Sequence, residues 1–291
     1  MCVAFFPRRL SLPNITVPDA LPIRPVTKVT EPTGDPRRTL YRSCVPRDWD
    51  AATYDRVADP QFRWGAAVID RLELAGDETV LDAGCGSGRV TELLLERLPA
   101  GRVVALDGSA SMLDRARTRL GRFGERVAFV LADLGASLPL DEPVDAILST
   151  ATFHWVPDHD ALFRTLAAVA RPGARLAAQC GGAGNLATVV TALRELGADP
   201  FSTKVFATPE ETDARLHAAG FVDVDCWLHD KPTPFDDLEA LETFLRTVAL
   251  GDHVAAMTDA GASAFAHEVA VRLPETALDY VRLNILARRA S

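Results

Sequence analysis

Three carboxylates, one glycine-rich turn and a histidine–tryptophan pair are the groups in this 291-residue chain whose types and spacing could do chemistry. The stretch LDAGCGSGR, residues 81–89, sets Gly84, Gly86 and Gly88 just behind Asp82. An apolar run, ETVL, leads into it and RVTELLLERL leads out. A strand feeding a glycine turn and then a helix brings backbone close to a ligand. The helix N-terminus adds free N–H groups and partial positive charge, which suits a phosphate or a carboxylate. A second acid, Asp107, closes RVVALDG and follows Gly84 by 23 residues. A carboxylate there can accept two hydrogen bonds from the ribose hydroxyls of an adenosyl group. A third acid, Asp133, closes RVAFVLAD, where it would meet an adenine amino group. A dinucleotide fingerprint, GxGxxG, would need a third glycine where Arg89 stands, so a nicotinamide oxidoreductase is the weaker reading.

These residues need a frame, and the sequence supplies a regular one. Residues 60–74 read as a helix with Trp64, Val68, Ile69 and Leu72 on one face. Strands are expected at 78–84, 102–108, 126–133, 144–150 and 174–180. Helices are expected between them at 89–98, 111–121 and 158–170, with Pro99, Gly101 and Gly121 as stops. This alternation predicts an α/β fold, a Rossmann-like doubly wound sheet with helices on both faces. Beyond it, helices are expected near 186–197 and 209–219, a strand at 221–229, helical pieces across 236–273 and a last strand at 277–289. Seven strands result, mostly parallel with an antiparallel last one. Helical cap insertions fall within 185–220 and 231–275. Residues 1–47 hold eight of the nineteen prolines and no periodicity, so they read as a disordered or extended segment ahead of a 48–291 domain.

Composition narrows the partners. The formal charge of −9 argues against nucleic acid, which needs a basic face. No apolar run approaches the ~20 residues of a membrane span. The cysteines (Cys2, Cys44, Cys85, Cys180 and Cys226) are odd in number and lack a CxxC pair. A reducing cytoplasm is therefore the expected location and a metal site is not expected. A small-molecule substrate and a monomer or homodimer are the expected partners.

With these residues in view, 48–181 resembles the class I S-adenosylmethionine-dependent methyltransferases. LDAGCGSG is similar to their first motif and ALDGSASML to their ribose-binding strand end. The resemblance implies S-adenosyl-L-methionine as cofactor, with Asp82, Gly84, Cys85, Gly86 and Gly88 around its methionine part. It also implies Asp107 and Gly108 at the ribose, Met112 against the adenine, Asp133 and Leu134 at the adenine edge, and Thr150 nearby. A narrower resemblance is to the trans-aconitate 2-methyltransferase group. WDAATYDRVADPQFR, residues 49–63, is similar to that group's entry segment, which implies Tyr54 and Arg63 near the cofactor, with Gln61 a weaker candidate. FHWVPD, residues 153–158, is similar to its fourth-strand end, and LDYVRLNILARR to its last strand. This chain carries His154 where trans-aconitate enzymes usually carry glutamine.

Two mechanisms follow for the His154–Trp155 pair. A carboxylate acceptor is already ionised and needs only donors, such as His154 Nε2 and the Trp155 indole N–H. A hydroxyl or amine acceptor would need a base, and His154 is the evident one. Arg194 and Arg246 are candidates to meet a second carboxylate. A cofactor-binding protein without catalysis is the remaining alternative.

Overall fold

The computed structural model describes residues 59–291. The expectations for residues 1–47 and for Tyr54 lie outside the described residues. Arg63 and Gln61 belong to the first described helix, and their side chains likewise lie outside.

Seven strands form one sheet in the order β3-β2-β1-β4-β5-β7-β6. They are β1 (Thr79–Ala83), β2 (Arg102–Asp107), β3 (Val127–Leu131), β4 (Val144–Thr150), β5 (Ala170–Gly181), β6 (Phe221–Pro234) and β7 (Ala277–Arg289). The pairs among β1 to β5 are parallel, and β7 runs antiparallel between β5 and β6. Covering helices are α1 (Asp59–Ile69), α2 (Arg89–Arg97), α3 (Ala110–Leu120), α4 (His159–Val169), α5 (Ala187–Glu195) and α6 (Pro209–Ala218). The remainder are α7 (Leu238–Phe244), a π turn (Leu245–Ala249), α8 (Gly251–Val254) and α9 (Asp259–Ala270). The fold is the Rossmann-like doubly wound sheet that the strand–helix alternation predicts. No helix among the described residues is long and apolar enough to cross a membrane.

Two apolar layers hold the sheet. Val80, Val103, Ala105, Ala146, Leu148 and Ala177 pack with α1, α2 and α3. Leu81, Leu106, Ile147, Leu176 and Ala178 pack on the other face with α4 and with Leu216 of α6. Successive side chains of a strand alternate between faces, so strands buried on both sides read as continuous apolar runs. A third core lies apart from these. It joins α5, α7, the π turn and α9 to Leu278 and Tyr280 of β7, and so forms a cap. Helix α6 falls inside the 185–220 cap range, yet Leu216 buries it against the sheet core. Its start is set by a capping box, Thr208 with Glu211, and by Pro209 in the first turn.

Strand β6 runs five residues past the expected end at 229, to Pro234. The long β7 pairs with it from Phe221↔Arg289 to Pro234↔Ala277, interrupted by a register shift between Val222 and Asp225. Pro232 and Pro234 are tolerated because β6 is an edge strand.

The strand order reverses between β1 and β4, whose neighbours depart in opposite directions. In such sheets ligands bind beyond the carboxyl ends of the strands at the reversal. Ser149 Oγ donates to the Ala83 carbonyl at 2.7 Å and fixes the two strand ends together.

Candidate active site

The glycine turn sits at that reversal. Gly84 and Gly86 both have positive φ, +91° and +54°, a region costly for residues with a Cβ. The Gly84 and Cys85 amides donate to the Leu106 carbonyl at 2.8 and 2.9 Å. A Cβ on Gly84 would fall on the Thr152 side chain, whereas one on Gly86 would meet nothing within 4 Å. The turn is therefore packed from behind and open in front.

What it opens on is a cavity of about 400 Å³, within the range of small-ligand sites. One end is lined by Gly84, Gly86, Asp107, Gly108, Met112, Asp133, Leu134 and Thr150. Asp107 is fixed from two sides: the Gly86 and Ser109 amides donate to its Oδ2 and Oδ1, each at 2.8 Å. Each carboxylate oxygen can accept more than one hydrogen bond, so both can still meet a diol. Burial raises the Asp107 pKa, opposed by its backbone donors from Ser109, Gly86 and Gly108. Asp133 accepts from the Gly135 amide at 2.8 Å. Met112 is buried in the wall, and the Ser109 side chain that caps α3 accepts from its amide.

Asp82, Cys85 and Gly88 are not on the wall. Asp82 is 1% exposed and lies behind the turn, where Thr91 Oγ1 donates to its Oδ2 at 2.7 Å. Burial pushes its pKa up to about 7, with nearby Asp107 adding to the rise. The Cys85 side chain packs into the α1–α3 core, and burial holds its thiol well above the ordinary range. Gly88 is the residue ahead of α2 and would crowd Ala116 and Leu120 if it had a Cβ. These three shape the turn from behind.

The opposite end of the cavity is built by the cap and by β7. His154 and Trp155 lie on a one-turn helix after β4, anchored by buried Phe153, whose ring meets Phe163 edge-on at 5.9 Å. His154 Nδ1 accepts from the Gly181 amide at 3.3 Å. The neutral ring therefore carries its proton on Nε2, as a donor. Burial lowers the His154 pKa well below the ordinary value, and Arg282 and Lys204 lower it further. The ring also stacks on Phe206 at 5.9 Å.

The sequence reading missed the two cations of this end. Arg282 projects from the middle of β7, is 2% exposed, and sits 4.9 Å from the Trp64 ring and 5.9 Å from that of Tyr280. Its signal was available: an arginine in the apolar strand LDYVRLNIL, two residues from Tyr280 and so on the same face. Lys204 sits between α5 and α6, in a loop with no periodic pattern. Arg194 is exposed, and neither it nor Arg246 lines the cavity. Among the described residues no group of three or more His, Cys, Asp or Glu is gathered as for a metal.

The arrangement fits an adenosyl cofactor at one end: a turn that approaches without side chains, a carboxylate for a diol and an apolar slot at Met112 and Leu134. The other end offers hydrogen-bond donors and positive charge to a second molecule. Residues 80–173 match the family described as "Methyltransferase domain". The chain is 38% identical over 183 residues to a trans-aconitate 2-methyltransferase of Methylobacterium nodulans, covering 62% of this chain and 67% of that protein. It is 39% identical over 132 residues to the enzyme so named from Variovorax paradoxus, covering 45% of this chain and 49% of that one. Among solved structures, a phosphoethanolamine N-methyltransferase from Haemonchus contortus, in complex with S-adenosylhomocysteine, superposes with a TM-score of 0.58. It is 18% identical, with 82% of this chain and 56% of that one covered, so it speaks to the fold alone. Glycine turn, strand-end acid, sheet order and these relatives agree: the chain belongs to the class I S-adenosylmethionine-dependent methyltransferases.

Proposed function

We propose that the protein methylates a carboxylate of a small organic acid and forms a methyl ester. The observation that carries this reading is the buried Arg282 guanidinium beside neutral His154 in the cavity wall. A planar fork of N–H donors matches a carboxylate, and a water-poor wall strengthens the attraction. S-adenosylmethionine, when bound, supplies an activated methyl group and a neutral leaving group. The protein's own task is to hold and align the acceptor and exclude water. Arg282 and His154 Nε2–H hold the acceptor carboxylate, Asp107 and the glycine turn hold the cofactor, and the cap keeps solvent out.

A hydroxyl or amine acceptor would need His154 to take a proton in the cavity. That role is opposed on two counts. Nδ1 is occupied by the Gly181 amide, and burial beside two cations disfavours the imidazolium. Relatives named trans-aconitate 2-methyltransferase make trans-aconitate the first acid to test. The experiment is methyl transfer from radiolabelled cofactor to trans-aconitate and a panel of small acids, followed by mild alkali. Label released as methanol is the expected result. Label that survives alkali, or appears only with alcohols or amines, overturns the reading.

A further inference from the structure

We propose that Lys204 is the specificity-determining residue of the acceptor end. It reads a second carboxylate of the acceptor, while Arg282 and His154 hold the one that is methylated. The inference rests on the carboxylate reading above and adds a residue and a division of labour to it.

The two cations reach the cavity from independent elements, Arg282 from β7 and Lys204 from the segment between α5 and α6. Both act electrostatically on the same imidazole, and they stand against different rings, Arg282 on Trp64 and Tyr280, Lys204 on Trp155 and Phe201. The Lys204 ammonium is fixed in place. Its Nζ donates to the Ala249 carbonyl at 3.0 Å and lies 3.7 Å from the centre of the Phe201 ring and 4.4 Å from that of Trp155. The next residue, Val205, donates its amide to the His154 carbonyl at 2.9 Å, which ties this segment to the donor turn. A lysine stem ordinarily loses much rotamer freedom when it binds a ligand. Here the ring faces and the carbonyl have already restricted it. A carboxylate held by Arg282 and His154 leaves Lys204 to a group a few bonds away on the same molecule.

The test is calorimetric binding to S-adenosylhomocysteine-loaded wild type, Lys204→Met and Lys204→Arg, with steady-state kinetics alongside. The probes are trans-aconitate and the three dicarboxylates that each lack one of its carboxylates: itaconate, mesaconate and glutaconate. Lys204→Met should weaken trans-aconitate about ten-fold, the worth of one charge-assisted contact, with kcat within about three-fold. Lys204→Arg should recover most of that loss. For one of the three dicarboxylates, the one missing the group Lys204 reads, the Met substitution should cost nothing further. Equal loss on all four acids, or a fall in kcat at unchanged affinity, would mean that Lys204 only braces the cap, and the inference fails. No change in trans-aconitate affinity also overturns it. Absence of any ester with selective binding intact would sink the carboxylate reading and leave the Lys204 subsite standing.

Discussion

At the scale of single residues, the charge state of two buried groups makes the sharpest expectations. His154 is held neutral by burial, with Arg282 and Lys204 adding to it, so kcat should show no inflection near the ordinary imidazole pKa of about 6.5. His154→Gln retains an N–H donor and should keep activity within about ten-fold. A true general base would lose about 10²–10⁴-fold. A pH–rate profile of both proteins separates the cases. Asp82 behaves in the opposite sense to a salt-bridged acid. Its folded pKa is about 7 against 3.8 for a free side chain, chiefly from burial. Between those values the folded protein binds more protons than the unfolded chain, so stability falls as pH rises through the window. Asp82→Asn keeps an acceptor for Thr91 and removes the titration. Its melting temperature should therefore gain on wild type from pH 5 to pH 8, and a pH-independent difference would refute this.

At the scale of elements, the turn between β1 and α2 does two jobs with two glycines. Gly84→Ala puts a methyl on the Thr152 side chain in a left-handed backbone, so it should cost about 2–4 kcal/mol of stability. Gly86→Ala pays only the left-handed backbone cost of about 1–2 kcal/mol, since the space before it is open. That space is the cavity, so the same variant should weaken S-adenosylhomocysteine binding at least about ten-fold. Denaturant titration and calorimetry on the two variants read stability and affinity separately. Both effects appearing in one variant and neither in the other would break this division. The cap is tied to the sheet by comparable local devices. Asp279 of β7 accepts from the Thr188 amide and hydroxyl at 2.9 and 2.6 Å, and so holds the start of α5 over the strand that carries Arg282.

At the scale of the whole molecule, the α4-side sheet core and the cap core both line one cavity, and a ligand there binds only the folded state. At one hundred times its Kd, S-adenosylhomocysteine should add about 2.7 kcal/mol, or roughly 5–10 °C in melting temperature. Thermal scans against ligand concentration check this, and a shift independent of concentration would contradict it. The net charge of −9 also hides a local reversal, because Arg282 and Lys204 outnumber the one cap carboxylate, Asp252, among the described residues at that end of the cavity. Overall charge describes long-range fields, whereas a buried guanidinium acts at contact range through a low-dielectric wall.

Much was settled by sequence alone, because the determinants are local. Strand and helix periods, caps and stops named the elements, and the spacing of Gly84, Gly86 and Asp107 singled out residues that the fold brings to one cavity wall. Motif membership did not separate wall from support. Asp82, Cys85 and Gly88 share a motif with Gly84 and Gly86, yet strand alternation turns Asp82 toward Thr91 and the twist of the tight turn sends Cys85 and Gly88 backward into packing. The acceptor end was less legible still. His154, Lys204 and Arg282 lie 50 and 78 positions apart in the chain. They become neighbours only because β7 inserts between β5 and β6 and the cap folds back over it. Pairing of distant strands is a tertiary event with no local sequence period, so the chemistry it assembles appears only once the sheet is closed.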